Sequence, residues 1–287
     1  MLLFIILLFL TSFVGFSLNV SVLLRFEKRS RPLSGFYKLC LFKTFPNIII
    51  SSLIAFWAVP LSFLQLEISD IPTVQNLMFS QLVGGFSYTL GPLLQICMAL
   101  NRLVLIYFPF SYKKLDRLKI TNLSIIASNC YLIYNPQSLV LLPQRKQCAH
   151  SQNLFIFLLI LTLSLTANIV NVIIAIRLLT NKDYGLSNAQ IIRRRRKCVS
   201  MFVQTAIQDI LQLVDITNYN FISKIIDEPW WEFTFCSLSF SAVYALDGAV
   251  MLYFHKCSNE ARNQEQNVRV SESSGTVRKV QFRNFVM

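Results

Sequence analysis

The stretch that decides the fold is QICMALNRLVLIYFPFSY, which occupies residues 95–112. It starts as an apolar helical run and passes directly into a basic segment with Lys113, Lys114 and Arg117. One cation, Arg102, stands near the end of the apolar run, where a helix would meet water. An apolar helix that ends in a basic loop is typical of a membrane span whose foot lies at the cytoplasmic face.

The composition of the whole chain predicts a membrane protein. Of its 287 residues 54% are apolar and 14% are charged, whereas a soluble domain carries about 25% charged residues. The formal net charge is +13, but the basic residues lie between apolar runs, so the expected partner is a lipid bilayer and not nucleic acid. The seven cysteines show no zinc-site spacing, and no metal is predicted.

Six apolar runs are long enough to cross a bilayer, which takes about 20 residues in a helix. They are 2–24, 44–66, 78–107, 154–179, 198–222 and 233–254. The first is expected to be an uncleaved signal anchor with its N-terminus outside, since basic residues follow it and none precedes it. With this orientation all Lys and Arg fall in cytoplasmic gaps or flanks, except Arg102, Arg145, Lys146 and Lys224.

A fourth span is needed to keep this topology consistent. The basic segment after Tyr112 and the run RRRRK at Arg193–Lys197 must both be cytoplasmic, so an even number of crossings separates them. The second crossing is expected in 120–142, where Asn, Ser, Gln and Pro interrupt the apolar pattern. The prediction is an all-α membrane protein, a seven-transmembrane helix bundle over 1–256 with a weak or truncated fourth span, followed by a disordered cytoplasmic tail over 257–287.

Several short motifs occur in or beside the predicted spans, each of them once. In chain order they are GFSLN at 15–19, Asn47, FWAVP at 56–60, LNRL at 100–103, FPFSY at 108–112, CYLIYNPQS at 130–138, Cys148, QTAIQD at 204–209 and ALDGAVMLYF at 245–254. Together they resemble the nematode serpentine chemoreceptors, a branch of the G-protein-coupled receptors, and within them the class X group. The resemblance covers about residues 10–256.

The chain also departs from that family pattern. Only about ten residues separate Lys119 from Cys130, against roughly 20 needed for a crossing. The third span opens without a Cys, so the usual disulfide from this span to the second outer loop cannot form. An inactive receptor isoform with an incomplete fourth span is therefore one alternative.

The resemblance implies a switch and a G-protein contact at the cytoplasmic face. The residues assigned to this role are Asn101, Arg102, Tyr112, Arg193 and Arg196. Because Asn101 is neutral, no adjacent salt bridge holds Arg102. The alternative for Arg102 is an interfacial cation that only anchors its helix, and for the Arg193 run a topogenic charge that meets anionic lipid.

Acidic residues inside the spans are candidates for polar contacts in the bundle interior. Intramembrane carboxylates are rare and usually face the bundle interior. We expect Asp209 and Asp247 to form a polar network with Asn19 that has a structural or switching role. A small transporter or channel-like bundle that uses Asp209 and Asp247 as a relay is the alternative from another class.

The candidate ligand pocket lies nearer the outer face. It consists of Tyr88, Asp215, Asn218 and Tyr244. Asp215 is suited to a cationic or polar ligand, although a structural role between helices is equally open. On the same side, Cys130 and Cys148 are expected to pair as a disulfide, the alternative being free thiols.

The resemblance thus implies a chemosensory receptor in the plasma membrane, including the ciliary membrane of sensory neurons. It would bind a small environmental molecule in the outer half of the bundle and activate a heterotrimeric G protein. No catalytic residue and no cofactor are predicted, because the chain has no glycine loop, nucleophile elbow or catalytic carboxylate pair.

Overall fold

The computed structural model describes residues 1–27, 35–107, 132–143, 146–180 and 188–256, with the side chains of most of them. Six long helices and one β-hairpin make up nearly all of this part of the chain. The helices are α1 (Leu2–Glu27), α2 (35–63), α3 (73–107), α4 (Lys146–Thr180), α5 (Asn188–Asn220) and α6 (229–256). The strands β1 (Leu132–Asn135) and β2 (Val140–Pro143) pair antiparallel, with Leu132 opposite Pro143.

Three of the helices contain a π-helical segment in their outer halves. These segments are Ile54–Ala58 in α2, Gln81–Ser87 in α3 and Phe233–Leu238 in α6. In α2 and α3 a proline follows a few residues later, Pro60 and Pro92 respectively. Proline lacks the N–H that an α-helix turn requires, so the regular ladder is interrupted near both segments.

Five stretches of the described residues are long and apolar enough to cross a membrane. They are Leu2–Phe26, Lys38–Phe63, Thr73–Asn101, Phe157–Arg177 and Pro229–Lys256, and each coincides with a predicted span. The predicted helical membrane fold is confirmed. The predicted span 198–222 is also helical as far as Asn220, where α5 ends, but it is more polar than the others.

The polar and apolar side chains of α5 lie on opposite faces of the helix. Its buried polar residues are Gln204, Thr205, Gln208, Asp209, Gln212 and Asp215, whereas Val199, Ile207, Ile210 and Val214 are exposed. The helix therefore presents apolar side chains to lipid and polar side chains to the interior of the bundle, as intramembrane polar residues generally do.

The stretch 120–142 differs from the prediction in its second half, which is the β-hairpin. Between the two strands, the side chain of Asn135 accepts a hydrogen bond from the Gln137 backbone at 3.0 Å, and Pro136 follows Asn135 in the turn. Leu139 has a positive φ of 59°. Asn favours turns because its side chain can bond the backbone two residues on, and Pro does so because its φ angle is fixed. The chain therefore reverses here and does not continue as a membrane helix.

The hairpin nevertheless lies at the outer end of the bundle, which is where a fourth span would end. It packs against the outer end of α3, where Asn76 bonds Tyr134, whereas Tyr107 is the last residue at the other end of that helix. At 1.5 Å per residue these two ends are roughly 45 Å apart. Tyr107 and the hairpin therefore lie at opposite ends of the bundle, and residues 108–131 between them lie outside the described residues.

The buried side chains of the described residues form two apolar clusters. The outer cluster includes Leu8, Ile50, Ile54, Tyr88, Ile216, Phe233 and Tyr244. The inner cluster consists of Val22, Phe26, Cys40, Met98, Met201 and Met251. On each of α1, α2, α3, α5 and α6, buried polar residues fall between the two clusters in sequence, which places a polar layer inside the membrane part of the bundle.

Candidate functional site

An ion pair between α2 and α6 is the centre of the polar layer. Lys43 Nζ lies 2.9 Å from Asp247 Oδ1, and the two side chains are 5% and 6% exposed. The other carboxylate oxygen, Oδ2, accepts a hydrogen bond from Asn47 Nδ2 at 2.6 Å. Both oxygens of Asp247 thus have partners, as buried charges in proteins generally require.

Asn19 ties α1 to this pair. Its Oδ1 accepts a hydrogen bond from Asn47 Nδ2 at 3.2 Å. Its Nδ2 donates to the Gly15 carbonyl at 2.8 Å and to the Tyr244 carbonyl at 3.1 Å. The Asn19 amide therefore bonds its own helix, α2 and α6, which gives it a structural role at the meeting point of three helices.

Two glycines allow α1 and α6 to approach each other at this point. A Cβ added to Gly248 would lie 2.7 Å from Asn19 Nδ2, and one added to Gly15 would lie 3.3 Å from Ala245 Cα. The first distance is shorter than any ordinary contact, so a side chain at Gly248 would displace Asn19. The G-x-x-x-N and Asp-Gly motifs therefore belong to one packing arrangement.

Gln95 of α3 carries the layer on to α5. Its carboxamide oxygen accepts from Lys43 Nζ at 3.0 Å, and its nitrogen donates to Asp209 Oδ1 at 3.1 Å, in the amide orientation that these two neighbours require. Lys43 thus donates to both Asp247 and Gln95. The result is a continuous polar chain, Asp209–Gln95–Lys43–Asp247–Asn47–Asn19, across five helices.

The structure brings the three predicted network residues, Asn19, Asp209 and Asp247, into this chain, and it adds residues that sequence reasoning missed. The prediction that Lys43 lies in a cytoplasmic flank is wrong, because α2 begins before the apolar run 44–66 and Lys43 is 4% exposed. Two signals could have revealed it. Lys43 precedes Asn47 by one helical turn, and a lone acid such as Asp247 in an apolar span calls for a counter-charge.

An outer cavity of about 110 Å³ lies above the polar layer, on the side of the hairpin. Its wall is mostly apolar and includes Leu8, Leu53, Ile54, Trp57, Val83, Tyr88, Leu132, Tyr134, Val140, Ile216, Tyr219 and Phe240. Residues from all three π-helical segments line it, among them Ala58, Gly84 and Ser237. Such segments occur frequently at functional sites, because the wider turn re-aims side chains.

Asp215 is the one carboxylate among the described lining residues. It is 2% exposed, and the hydroxyl of Tyr88 is its hydrogen-bonding neighbour. No Lys or Arg of the described part of the chain forms an ion pair with it. Asp215 is therefore placed differently from Asp247, whose positive partner lies within the protein.

The other two predicted pocket residues lie beside the cavity and do not line it. Asn218 Nδ2 donates to Ser239 Oγ at 2.8 Å and so links α5 to α6. Tyr244 is 4% exposed and packs below Phe240, with 5.0 Å between ring centroids. Of the predicted set, Tyr88 and Asp215 therefore contact the cavity directly.

The hairpin forms the roof of the cavity and is fixed by side chains from α2, α3 and α6. Asn76 bonds both backbone groups of Tyr134, at 3.0 Å to the carbonyl and 2.9 Å from the N–H. The Tyr134 hydroxyl lies 2.8 Å from Ser62 Oγ, and Ser237 Oγ donates to the Leu139 carbonyl. Burial raises the pKa of Tyr134, so its hydroxyl keeps the proton that this contact uses.

The predicted coupling residues lie at the opposite end of the bundle where the structure describes them. Asn101 and Arg102 fall near the C-terminal end of α3, and Arg193 and Arg196 in the first half of α5. The side chains of these three arginines lie outside the described residues, as does Tyr112.

The predicted disulfide also falls outside this range. Cys130 and the side chain of Cys148 lie outside the described residues, so their pairing stays a prediction. The same holds for the predicted tail, 257–287.

The membrane helices, the roofed outer cavity and the polar layer beneath it together define a multi-pass helical membrane protein with an enclosed site in its outer half. The model of the family described as "Serpentine type 7TM GPCR chemoreceptor Srx" matches residues 9–255. The match covers most of the 287 residues, and the chain belongs to this family. A search of curated proteins finds no match.

Membership in this family confirms the predicted resemblance and the seven-transmembrane bundle. The protein is a multi-pass membrane protein of a chemoreceptor family, which is not an enzyme family. Receptors of this class in general bind small molecules and couple to G proteins.

Proposed function

We propose that this protein is a chemosensory receptor that binds a small environmental molecule in the outer cavity and activates a heterotrimeric G protein at its cytoplasmic face. The observation that carries the proposal is that the cavity and the polar layer share three helices. On α3, Tyr88 precedes Gln95 by seven residues, and on α5, Asp215 follows Asp209 by six. On α6, the cavity residue Phe240 precedes Asp247 by seven.

This arrangement offers a direct route from ligand to polar layer. Seven residues are two helical turns, so Tyr88 and Gln95 share one face of α3, about 10 Å apart along its axis. A ligand that shifts α5 or α6 at the cavity moves Asp209 or Asp247 relative to Gln95 and Lys43. Since the layer is buried and closely bonded, it favours discrete arrangements over gradual ones.

The ligand needs differential affinity to drive such a change. A ligand shifts an equilibrium only by the difference in its binding to the two states. In the active state the base of α5 near Arg193 and Arg196 swings outward and opens a cleft beside Arg102. Asn101 and Tyr112 complete the surface on which the G protein docks, and the whole run Arg193–Lys197 also meets anionic lipid.

The location follows from this role. A receptor for environmental molecules acts at the plasma membrane, including the ciliary membrane of sensory neurons, with the cavity outside. The tail, 257–287, then lies in the cytoplasm, as the basic residues beside the last span favour.

The test is nucleotide exchange on a purified heterotrimeric G protein, catalysed by the full chain in nanodiscs during a small-molecule screen. We expect at least one compound to accelerate exchange, with Arg102→Ala reducing that response about ten-fold or more. Arg25→Ala is the matched control, because Arg25 is exposed at the cytoplasmic end of α1 and should leave the response intact. Compound uptake driven by a proton gradient, with no exchange, would favour the transporter alternative instead.

A further inference from the structure

We infer that the outer cavity takes a small monocationic amine with an apolar body, and that Asp215 is its counter-ion. The inference rests on the proposed receptor function and names the class of ligand for its binding site. It assigns Asp215 to direct ligand contact in addition to its contact with Tyr88.

The charge balance inside the bundle is the first argument. Asp247 is paired with Lys43, and Asp209 is joined to the same lysine through Gln95. Asp215 lines the cavity, is 98% buried, and has a phenol as its hydrogen-bonding neighbour and no cation among the described residues. A buried carboxylate without a positive partner is costly, so a cation that enters the cavity gains more there than an equally large neutral molecule.

The aromatic wall is the second argument. Five aromatic residues line the same cavity as Asp215, namely Trp57, Tyr88, Tyr134, Tyr219 and Phe240. The faces of aromatic rings attract ammonium groups, with an effect that grows when water is excluded. A carboxylate surrounded by aromatic rings is thus suited to an ammonium group and unsuited to an anion, which Asp215 would repel.

Size and polarity limit the rest of the ligand. The cavity volume of about 110 Å³ is close to that of an apolar cavity that holds one benzene molecule, roughly 150 Å³. The rest of the wall consists largely of Leu, Ile and Val side chains, so a single ring or a short branched chain fits it. The indole Nε1 of Trp57 is buried and has no hydrogen-bond partner in the described part of the chain, so one acceptor on the ligand would be tolerated there.

The experiment compares amines with alcohols of the same shape on the purified full chain in detergent. The probes are benzylamine, cyclohexylmethylamine and isoamylamine, each against the alcohol with the same carbon skeleton. We expect at least one amine to raise the thermal unfolding midpoint and to bind about ten-fold or more tightly than its alcohol. Equal binding of every pair, or binding by neither member of any pair, overturns the inference without the need for a variant.

Variants then assign the effect to one carboxylate. Asp215→Asn keeps the shape and removes the charge, and we expect it to abolish the preference for the amine. Asp227→Asn is the matched control, since Asp227 is an exposed acid of the outer loop, and it should keep the preference. A preference that survives Asp215→Asn overturns the inference.

Binding and signalling can fail separately. Selective amine binding without nucleotide exchange supports the cavity assignment and contradicts the receptor function. Exchange driven by a neutral or acidic compound, and unaffected by Asp215→Asn, supports the receptor function and overturns the amine assignment.

Discussion

Lys43 on α2 and Asp247 on α6 form a buried ion pair, 2.9 Å between Nζ and Oδ1, and Lys43 also bonds Gln95 on α3. One cation therefore satisfies two acceptors on two other helices. Gln95 connects Lys43 to Asp209, and Asn47 connects Asp247 to Asn19. Loss of Lys43 would therefore disturb contacts on all five helices of the layer.

Replacement of Lys43 by Met should strongly destabilise the protein. Methionine keeps much of the side-chain length but leaves Asp247 buried without its cation, and such losses cost about 3–5 kcal/mol. The measurement is thermal unfolding of the purified protein in detergent. Lys38→Met is the control, since Lys38 is exposed on the same helix and should change the midpoint little.

A double-mutant cycle can separate the interaction energy of the ion pair from the individual contributions of Lys43 and Asp247 to stability. Lys43→Met combined with Asp247→Leu should be less destabilising than the sum of the single changes, because neither charge is then left alone. Equal midpoints for Lys43→Met and Lys38→Met would show that the ion pair contributes nothing to stability.

Gly248→Ala should destabilise the contact between α1 and α6. The added Cβ would lie 2.7 Å from Asn19 Nδ2, and overpacking of this kind typically costs about 1–3 kcal/mol. Gly91→Ala is a matched control within a membrane helix, since a Cβ at Gly91 meets nothing within 4 Å. Similar unfolding midpoints for the two variants would contradict the described packing around Asn19.

Asn76→Ala should loosen the hairpin over the cavity. The change removes both hydrogen bonds to the Tyr134 backbone, each worth about 0.5–1.5 kcal/mol, and leaves two buried backbone groups without this partner. Hydrogen exchange of residues 132–143 should become faster, while exchange in α1 stays unchanged.

The side chain of Gln137 provides the control for this experiment, because it is exposed at the turn of the hairpin. Gln137→Ala should leave exchange of the hairpin as in the parent protein. Tyr134→Phe, which removes the hydroxyl contacts with Ser62 and with the Ala58 carbonyl, should fall between the two. Unchanged exchange in Asn76→Ala would mean that other contacts hold the roof.

Run lengths and charge placement were sufficient to predict the helical bundle. Five of the predicted apolar runs overlap the apolar membrane helices of the structure. The sixth, 198–222, lies mostly in α5, where Ile210 and Val214 are exposed and Asp209 is buried, as expected for a helix between lipid and the bundle interior. Run lengths could not give the start of α2, because Lys43 is charged and ends the apolar run in the sequence. In the structure it is nevertheless buried within the helix, where it pairs with Asp247. Run lengths also could not separate a short crossing from the hairpin that follows it in 120–142.

The candidate site was predictable in part for the same reason. Acids inside apolar runs, such as Asp209, Asp215 and Asp247, stand out in a sequence because they are rare there. Which of them pairs with a cation depends on contacts between distant helices, as Lys43 and Asp247 show with a separation of 204 residues. Helix contacts of this kind leave no local pattern, so the different position of Asp215 appeared only in the structure.

The proposed receptor function requires the hairpin to lie outside the cell and the chain end to lie inside. The decisive measurement is antibody labelling of one epitope tag inserted between Gln144 and Arg145 and of another after Met287, in intact and in permeabilised cells. We expect the first tag to be labelled in intact cells and the second only after permeabilisation. If both tags are labelled only after permeabilisation, the cavity is not presented to the exterior, and the proposed receptor function of this chain is contradicted.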